Sequence, residues 1–210
     1  MAKTGTIVID PGHGGQHETG GSSANNAISA SGVLEKNITL RMAFLVREQL
    51  ALLAAADGHN LTVMMTRGAD VNLGLSARAN VARDNNADLF LSIHCNGFNG
   101  QSRGTETLIR PAAAGNPNHT ADRAFARKIQ QAVFTTVRSH DANADDRGVK
   151  DQILGVLKRS QLGATARGCL VELEFIDVPA VDQLLNIGPN SPEVRKDIAK
   201  AIAEAMIQAL

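Results

Sequence analysis

Short apolar runs alternate with longer amphipathic stretches along the whole chain, and this alternation restricts the folds open to it. Apolar runs at residues 6–9, 61–65, 88–93, 105–109, 155–157 and 169–176 predict strands. Helical spacing predicts helices at 33–55, 75–85, 120–137 and beyond Ser191, where we expect Ser191 to be the cap and Pro192 the first helical residue. The pattern predicts one α/β domain, residues 1–210, with a twisted, mostly parallel (mixed) sheet of about six strands and helices on both faces.

Size and composition narrow the classes of function. The 210 residues suit one domain, and an apolar content of 43% is enough for a core. The formal net charge is zero, so the chain lacks the overall basic field typical of proteins that bind nucleic acid or anionic membranes. Trp and Tyr are absent, which argues against a separate sugar-stacking module, so we expect polar groups to make most glycan contacts.

The cysteines and the N-terminus add two further expectations. Cys95 and Cys169 cannot form a disulfide framework and include no CxxC pair, so we expect two small buried thiols. The residues before the first strand do not resemble a signal peptide, and no run approaches the ~20 apolar residues that span a bilayer. We therefore expect a soluble chain without membrane insertion, exported or released by an unspecified route.

Four polar residues are candidates for chemistry. His13 follows the first predicted strand, His94 ends the third, and Glu172 lies within the last. In open α/β sheets, ligands bind beyond the carboxyl ends of parallel strands, so these side chains can converge on one crevice. Glu35 begins the first long helix and can return to the same edge of the sheet.

Two imidazoles and a carboxylate are a ligand set used by catalytic zinc, which keeps a fourth position open for water. Such a site also needs a base that does not bind the metal, a role that suits Glu172. Glu172 and Glu174 are expected on one face of an otherwise apolar strand, which favours a functional use of at least one. Histidines beside glycine turns are commonly structural, however, and the spacing alone leaves both interpretations open.

The ordered motifs resemble the zinc-dependent N-acetylmuramoyl-L-alanine amidases found among bacterial cell-separation enzymes, spore lysins and phage endolysins. The resemblance covers nearly the whole chain, and several motifs in the family's order make it specific. It is carried mainly by Ile7–Gly15, Glu35–Asn37, Thr66–Arg67, Ala87–Asn96, Gly104–Thr107, Arg147–Lys150 and Leu170–Glu172.

The resemblance implies one zinc ion per chain, held by His13, Glu35 and His94, with Glu172 as the catalytic base. The reaction would be hydrolysis of the amide bond between the lactyl group of N-acetylmuramic acid and L-alanine. The partners would be peptidoglycan or muropeptide fragments, and the protein would act on the cell wall. Further candidate substrate contacts are Arg67, Asn96 and Glu174.

The chain departs from the family pattern at a few positions. Gln16, His17 and Glu18 follow the first motif where an Asp and small residues are frequent, and Arg83 follows Ala82 where Asn is frequent. Glu174 replaces a residue that is usually small; it can share a proton with Glu172, bind substrate or face water. Residues 97–147 are too few for the helical insertion that blocks the site in some relatives, so we expect a site that needs no activator.

Three other functions remain open from the sequence. A thiol hydrolase would use Cys95 beside His94, although neighbouring residues of a strand point to opposite faces. A wall-binding or regulatory protein could use the same fold without catalysis. Another zinc amidohydrolase or a carboxypeptidase could use the same ligands.

Overall fold

The computed structural model describes all 210 residues. Its strands are β1 (Thr4–Pro11), β2 (Asn60–Met65), β3 (Leu89–Asn96), β4 (Thr105–Ile109), β5 (Asp146–Asp151) and β6 (Arg167–Phe175). Its helices are α1 (Glu35–Asp57), α2 (Leu75–Asp84), α3 (His119–His140), α4 (Arg159–Leu162), α5 (Pro179–Asp182) and α6 (Ser191–Ala209). A 3-10 turn spans Ala112–Ala114, and a π-helical turn spans Gln183–Ile187.

All six strands form one sheet in the order β2-β1-β3-β6-β4-β5. The pairs β1–β2, β1–β3 and β3–β6 are parallel, as are β4 and β5 to each other, whereas β4 runs antiparallel to β6. The predicted mixed, mostly parallel sheet is therefore confirmed. Its arrangement places the carboxyl ends of β1, β3 and β6 side by side at one edge.

Helices cover both faces of this sheet, as the nearly all-apolar β3 predicts. The larger apolar cluster joins one sheet face to α1, α3 and α6, with Ile9 and Leu91 among its strand residues. The smaller cluster joins Val8 and Phe90 to α2 and α4 on the opposite face. Successive strand residues thus bury alternate faces, which fixes the register of the central strands.

One predicted strand is wrong, and its error has a physical cause. Residues 155–157 form no strand; Val156 and Leu157 are apolar because they are buried in the smaller cluster. The fifth strand is instead β5, an edge strand whose residues are exposed or half-buried, so it shows no apolar run.

The cap prediction for the last helix is displaced by one residue. Asn190 occupies the cap position and Ser191 is the first residue of α6, with its hydroxyl donating to the Asn186 carbonyl at 3.0 Å. No helix combines the length and apolar composition needed to cross a membrane.

Candidate metal centre

Three potential ligand side chains meet at the edge of the sheet where β1 and β3 end. His13 follows β1, His94 lies near the end of β3, and Glu35 is the first residue of α1. Their ligand atoms all lie within 4.8 Å of one another. Glu35 Oε1 is 3.1 Å from His13 Nε2 and 3.0 Å from His94 Nδ1. The structure thus brings together the three residues that the sequence indicated as ligands.

A glycine turn determines how the two imidazoles approach. His13 has a φ of 61°, a left-handed conformation that side chains seldom adopt and that is concentrated at functional sites. Its carbonyl accepts a hydrogen bond from Arg78 Nη2 at 2.7 Å, which holds the turn. A Cβ added at Gly12 would lie 2.3 Å from the His94 ring, so only glycine leaves room for that ring.

Glu35 is a buried carboxylate held between these imidazoles, with 1% of its surface exposed. Burial alone would raise the pKa of Glu35, but the adjacent His13 and His94 imidazoles lower it overall. Glu35 Oε2 accepts from the Ala27 N–H at 2.9 Å, and Oε1 accepts from the Cys95 N–H at 3.1 Å. These contacts fix an ionised carboxylate at the centre of the cluster.

The cluster fits a divalent metal ion. His13 Nδ1 lies 3.0 Å from the Ser23 hydroxyl, whereas His13 Nε2 is buried without a hydrogen-bond partner. Such an unpaired atom is costly, and a cation would satisfy it. Ligand atoms ~2.0–2.2 Å from one tetrahedral ion lie about 3.3–3.6 Å apart, within about 0.6 Å of the separations of Glu35 Oε1 from His13 Nε2 and His94 Nδ1, which are 3.1 and 3.0 Å.

Glu172 stands beside this cluster. It pairs directly with His94 in the parallel register of β3 and β6. Its Oε2 atom is buried and accepts no hydrogen bond. Burial, followed by the negative charges of Glu35 and Glu106, raises the pKa of Glu172 well above its ordinary value. A free carboxylate oxygen with a raised pKa, next to three potential metal ligands, has the properties expected of a general base.

Comparison with known proteins identifies the family. Residues 7–208 match the family model described as N-acetylmuramoyl-L-alanine amidase, Amidase_3. The chain belongs to this amidase family.

Relatives of this family member include longer proteins. It is 33% identical over 199 residues to an uncharacterized cell wall amidase of Bacillus anthracis, an alignment that covers 94% of this chain and 34% of that protein. It is also 33% identical over 171 residues to the N-acetylmuramoyl-L-alanine amidase CwlM of Bacillus licheniformis, covering 81% of this chain and 56% of the relative. The chain thus spans 34% and 56% of the length of these two curated relatives.

The fold matches solved amidase structures. The N-acetylmuramoyl-L-alanine amidase from Clostridium difficile 630 superimposes with a TM-score of 0.78 at 23% identity, covering 99% of this chain and 97% of that one. At this level of identity the match supports the fold.

A cavity of about 190 Å³ lies beside the two imidazoles in this family member. His13 and His94 form part of its wall, and the rest comes from the turn at residues 21–23, from Leu75 and Arg78, and from the segment 154–156. Side chains of the ligand cluster therefore border this cavity.

The three candidate substrate contacts have different surroundings. Arg67 is only 3% exposed and donates to the carbonyls of Pro11 and Gly12 at 3.0 and 2.8 Å, so it supports the glycine turn. Asn96 is half-buried, and its amide donates to Glu106 Oε1 at 3.0 Å. Asn96 therefore stays a candidate contact, whereas the placement of Arg67 indicates a structural role.

Glu174 does not face water, which is one of the three roles the sequence left open. It has 0% exposure and accepts from the Gly104 N–H at 2.7 Å and from Arg103 at 3.2 Å. The β3–β6 register shifts between His94 and Asn96, which inserts a residue into β6 and gives Glu174 surroundings unlike those of Glu172. These contacts leave Glu174 no surface for a substrate, and we assign it to the support of the loop before β4.

Sequence reasoning missed two ionic supports of the site. Arg78 pairs with Asp10 at 2.9 Å, and both side chains are buried. Burial would raise the pKa of Asp10, but the Arg78 charge and three hydrogen bonds lower it overall. Glu106 on β4 binds two cations from β5, Arg147 and Lys150. Asp10, Glu106, Arg147 and Lys150 lie within motifs that carry the family resemblance, but nothing in the sequence indicated which charges pair.

The surroundings of Cys95 argue against the thiol hydrolase. Cys95 packs in the larger apolar cluster, on the face opposite to the cavity beside His94. Burial, followed by the charges of Glu35, Glu172 and Glu174, raises the pKa of the Cys95 thiol well above its ordinary value. A reactive thiolate is therefore disfavoured. Cys95 and Cys169 are both buried and free, as predicted.

Proposed function

We propose that this chain is a zinc-dependent N-acetylmuramoyl-L-alanine amidase. It hydrolyses the amide bond between the lactyl group of N-acetylmuramic acid and L-alanine in peptidoglycan or its muropeptide fragments. The observation that carries this proposal is the convergence of His13, Glu35 and His94 within 4.8 Å in a chain of the amidase family. The catalytic domain is proposed to comprise residues 1–210.

One zinc ion would be held by His13 Nε2, Glu35 Oε1 and His94 Nδ1, the atoms that face one another in the cluster. Zinc supplies Lewis acidity, which acidifies water and polarises the scissile carbonyl group. The buried Glu35 carboxylate would offset part of the charge of such an ion, and the Ser23 contacts with His13 Nδ1 would leave Nε2 available to bind it.

Glu172 would act as the base. Its unpartnered Oε2 atom takes a proton from the attacking water and then delivers it to the departing amine of L-alanine. Burial and the neighbouring charges of Glu35 and Glu106 favour the protonated form of Glu172, which helps it hold that proton between the two steps.

The site is proposed to work on the cell wall, outside the cytoplasmic membrane, without an activator. Residues 97–147 contain β4 and α3, and α3 packs against β4, β6 and α6. This placement keeps α3 on the face of the sheet and leaves the cavity beside His13 and His94 bordered by the short segments described above.

Elemental analysis of the purified protein, combined with mass spectrometry of digested peptidoglycan, tests this proposal. We expect a single zinc ion per chain and products that carry a free L-alanine amine and an intact lactyl group. A chelator should abolish cleavage, and added zinc should restore it. Release of terminal amino acids would indicate a carboxypeptidase, and binding without cleavage would indicate a non-catalytic wall-binding protein; either result would overturn the proposal.

A further inference from the structure

A row of charged side chains crosses the sheet beside Glu172. Glu106 on β4 accepts from Arg147 Nε at 2.8 Å through its Oε2 atom, and the same oxygen accepts from Lys150 Nζ. Glu106 Oε1 accepts from the Asn96 amide at 3.0 Å. One carboxylate therefore holds two cations on the edge strand β5, and the group carries an excess positive charge.

The two cations retain accessible donors. The side chains of Arg147 and Lys150 are 37% and 42% exposed, whereas that of Glu106 is 12% exposed. Arg147 uses only Nε towards Glu106, and its guanidinium carbon lies 5.1 Å from the Phe175 ring centre. Its two terminal nitrogens remain free to bind a carboxylate in bidentate fashion.

The distance from these cations to the proposed base matches a peptide substrate. Glu106 pairs directly with Glu172 in the antiparallel register of β4 and β6. Strands lie about 4.8 Å apart, so β5 lies about 10 Å from β6 across the sheet. Two extended residues span about 7 Å, and the long side chains of Arg147 and Lys150 can cover the remainder.

We propose that Arg147 and Lys150 bind the free α-carboxylate of the acidic residue that follows L-alanine in the departing stem peptide. Glu106 positions both cations and does not itself touch the peptide. This inference rests on the proposed function, because the cleaved bond must lie beside Glu172. It makes Arg147 and Lys150 determinants of specificity for an acidic stem peptide over its amidated form.

Two synthetic substrates test the inference. One is N-acetylmuramoyl-L-Ala-γ-D-Glu-L-Lys amide, and the other carries D-isoglutamine, so that the two differ only in the α-carboxylate. We expect kcat/KM of the unaltered protein to favour the acid by about tenfold, which is the lower end for a hydrogen bond to a charged group. Arg147→Gln and Lys150→Met should each reduce this preference while cleavage of the amide substrate continues.

Matched variants distinguish the loss of a specific positive charge from general damage to the fold. Lys150→Arg should keep the preference, as should Arg127→Gln, which removes an exposed cation of α3. The ratio of the two kcat/KM values does not depend on the active fraction of a preparation. Equal rates on both substrates, or a preference unchanged in Arg147→Gln and Lys150→Met, would overturn the inference. Failure of the unaltered protein to cleave either substrate would instead count against the proposed function.

Discussion

Glu172 and His94 occupy matching positions on the adjacent parallel strands β6 and β3. Neighbouring strands lie about 4.8 Å apart, so the proposed base and a proposed metal ligand flank the same small volume. Glu172 keeps one buried oxygen free, whereas His94 Nδ1 contacts Glu35 at 3.0 Å. The register of β3 and β6 thus places the proposed proton-transfer residue on one strand and a proposed metal ligand at the matching position of its neighbour.

Replacing the proposed base should remove catalysis but leave the metal in place. Glu172→Gln preserves the size of the side chain but cannot accept the proton, so we expect kcat to fall roughly 100- to 10,000-fold. Zinc content should not change, because Glu172 is not one of the clustered ligands. Steady-state cleavage of a defined muropeptide, with elemental analysis of the same sample, measures both quantities.

Glu193→Gln provides the matched control, because Glu193 is exposed in the first turn of α6. This variant should keep full activity. Near-full activity in Glu172→Gln would show that another group takes the proton.

The sequence predicted much of the architecture because apolar patterning records burial. The apolar runs of β1, β3 and β6 located the central strands, and strand-end positions indicated that His13, His94 and Glu172 would converge. The turn that returns Glu35 to this edge has no periodicity, so the residues alone made Glu35 only a candidate, and the family resemblance assigned it as a ligand. Patterning failed for β5, whose residues are exposed or half-buried at the sheet edge.

Two site predictions depended on local details that a linear pattern does not contain. Glu174 is buried against Arg103 because the β3–β6 register shifts, which strict alternation along a strand cannot reveal. Arg67 follows β2 as predicted, but its guanidinium turns inward to carbonyl groups of the glycine turn. Both side chains satisfy buried partners, and neither partner is visible in the sequence before folding.

The Asp10–Arg78 pair should be a major determinant of stability. Arg78→Met leaves the buried Asp10 carboxylate without its cation and removes a donor to the His13 carbonyl. Breaking a buried ion pair in this way typically costs about 3–5 kcal/mol in the free energy of unfolding. Urea unfolding at neutral pH measures this loss.

Arg83→Met on the same helix is the control, because Arg83 is exposed and pairs only with Asp84. Its effect on unfolding should stay within about 0.5 kcal/mol. Similar stabilities for the Arg78 and Arg83 variants would contradict the assignment of a supporting role to Arg78.

The pH profile should respond to Glu106. Burial and the charges of Glu35 and Glu106 raise the pKa of Glu172 in the metal-free protein, and the acidic limb of kcat/KM should follow the pKa of this group. The base must be deprotonated to act, and activity therefore rises as the pH rises through this pKa. Glu106→Gln removes one of the negative charges and should move the limb to lower pH.

The amidated muropeptide is the substrate for this profile, because its cleavage does not depend on the α-carboxylate. Glu204→Gln, an exposed carboxylate of α6, should leave the limb unchanged. A limb that stays in place or moves to higher pH in Glu106→Gln would show that Glu106 does not influence the base.

Gly12 should influence metal affinity by leaving room for the His94 ring, because it has no side chain of its own. A Cβ at this position would lie 2.3 Å from His94 Cε1 and 2.4 Å from its Nε2, so the ring must move in Gly12→Ala. Movement of a ligating imidazole by a neighbouring residue typically costs about 10- to 100-fold in metal affinity. Competition with a chromophoric zinc chelator measures that affinity directly.

Gly68→Ala isolates the steric cause. Neither glycine has a positive φ, so alanine is compatible with the backbone at both positions, but nothing lies within 4 Å of a Cβ at Gly68. Gly68→Ala should therefore bind zinc as the unaltered protein does, and both variants should unfold cooperatively. Equal zinc affinity in the Gly12 and Gly68 variants would mean that the position of the His94 ring does not limit binding, and His94 would then be a doubtful ligand.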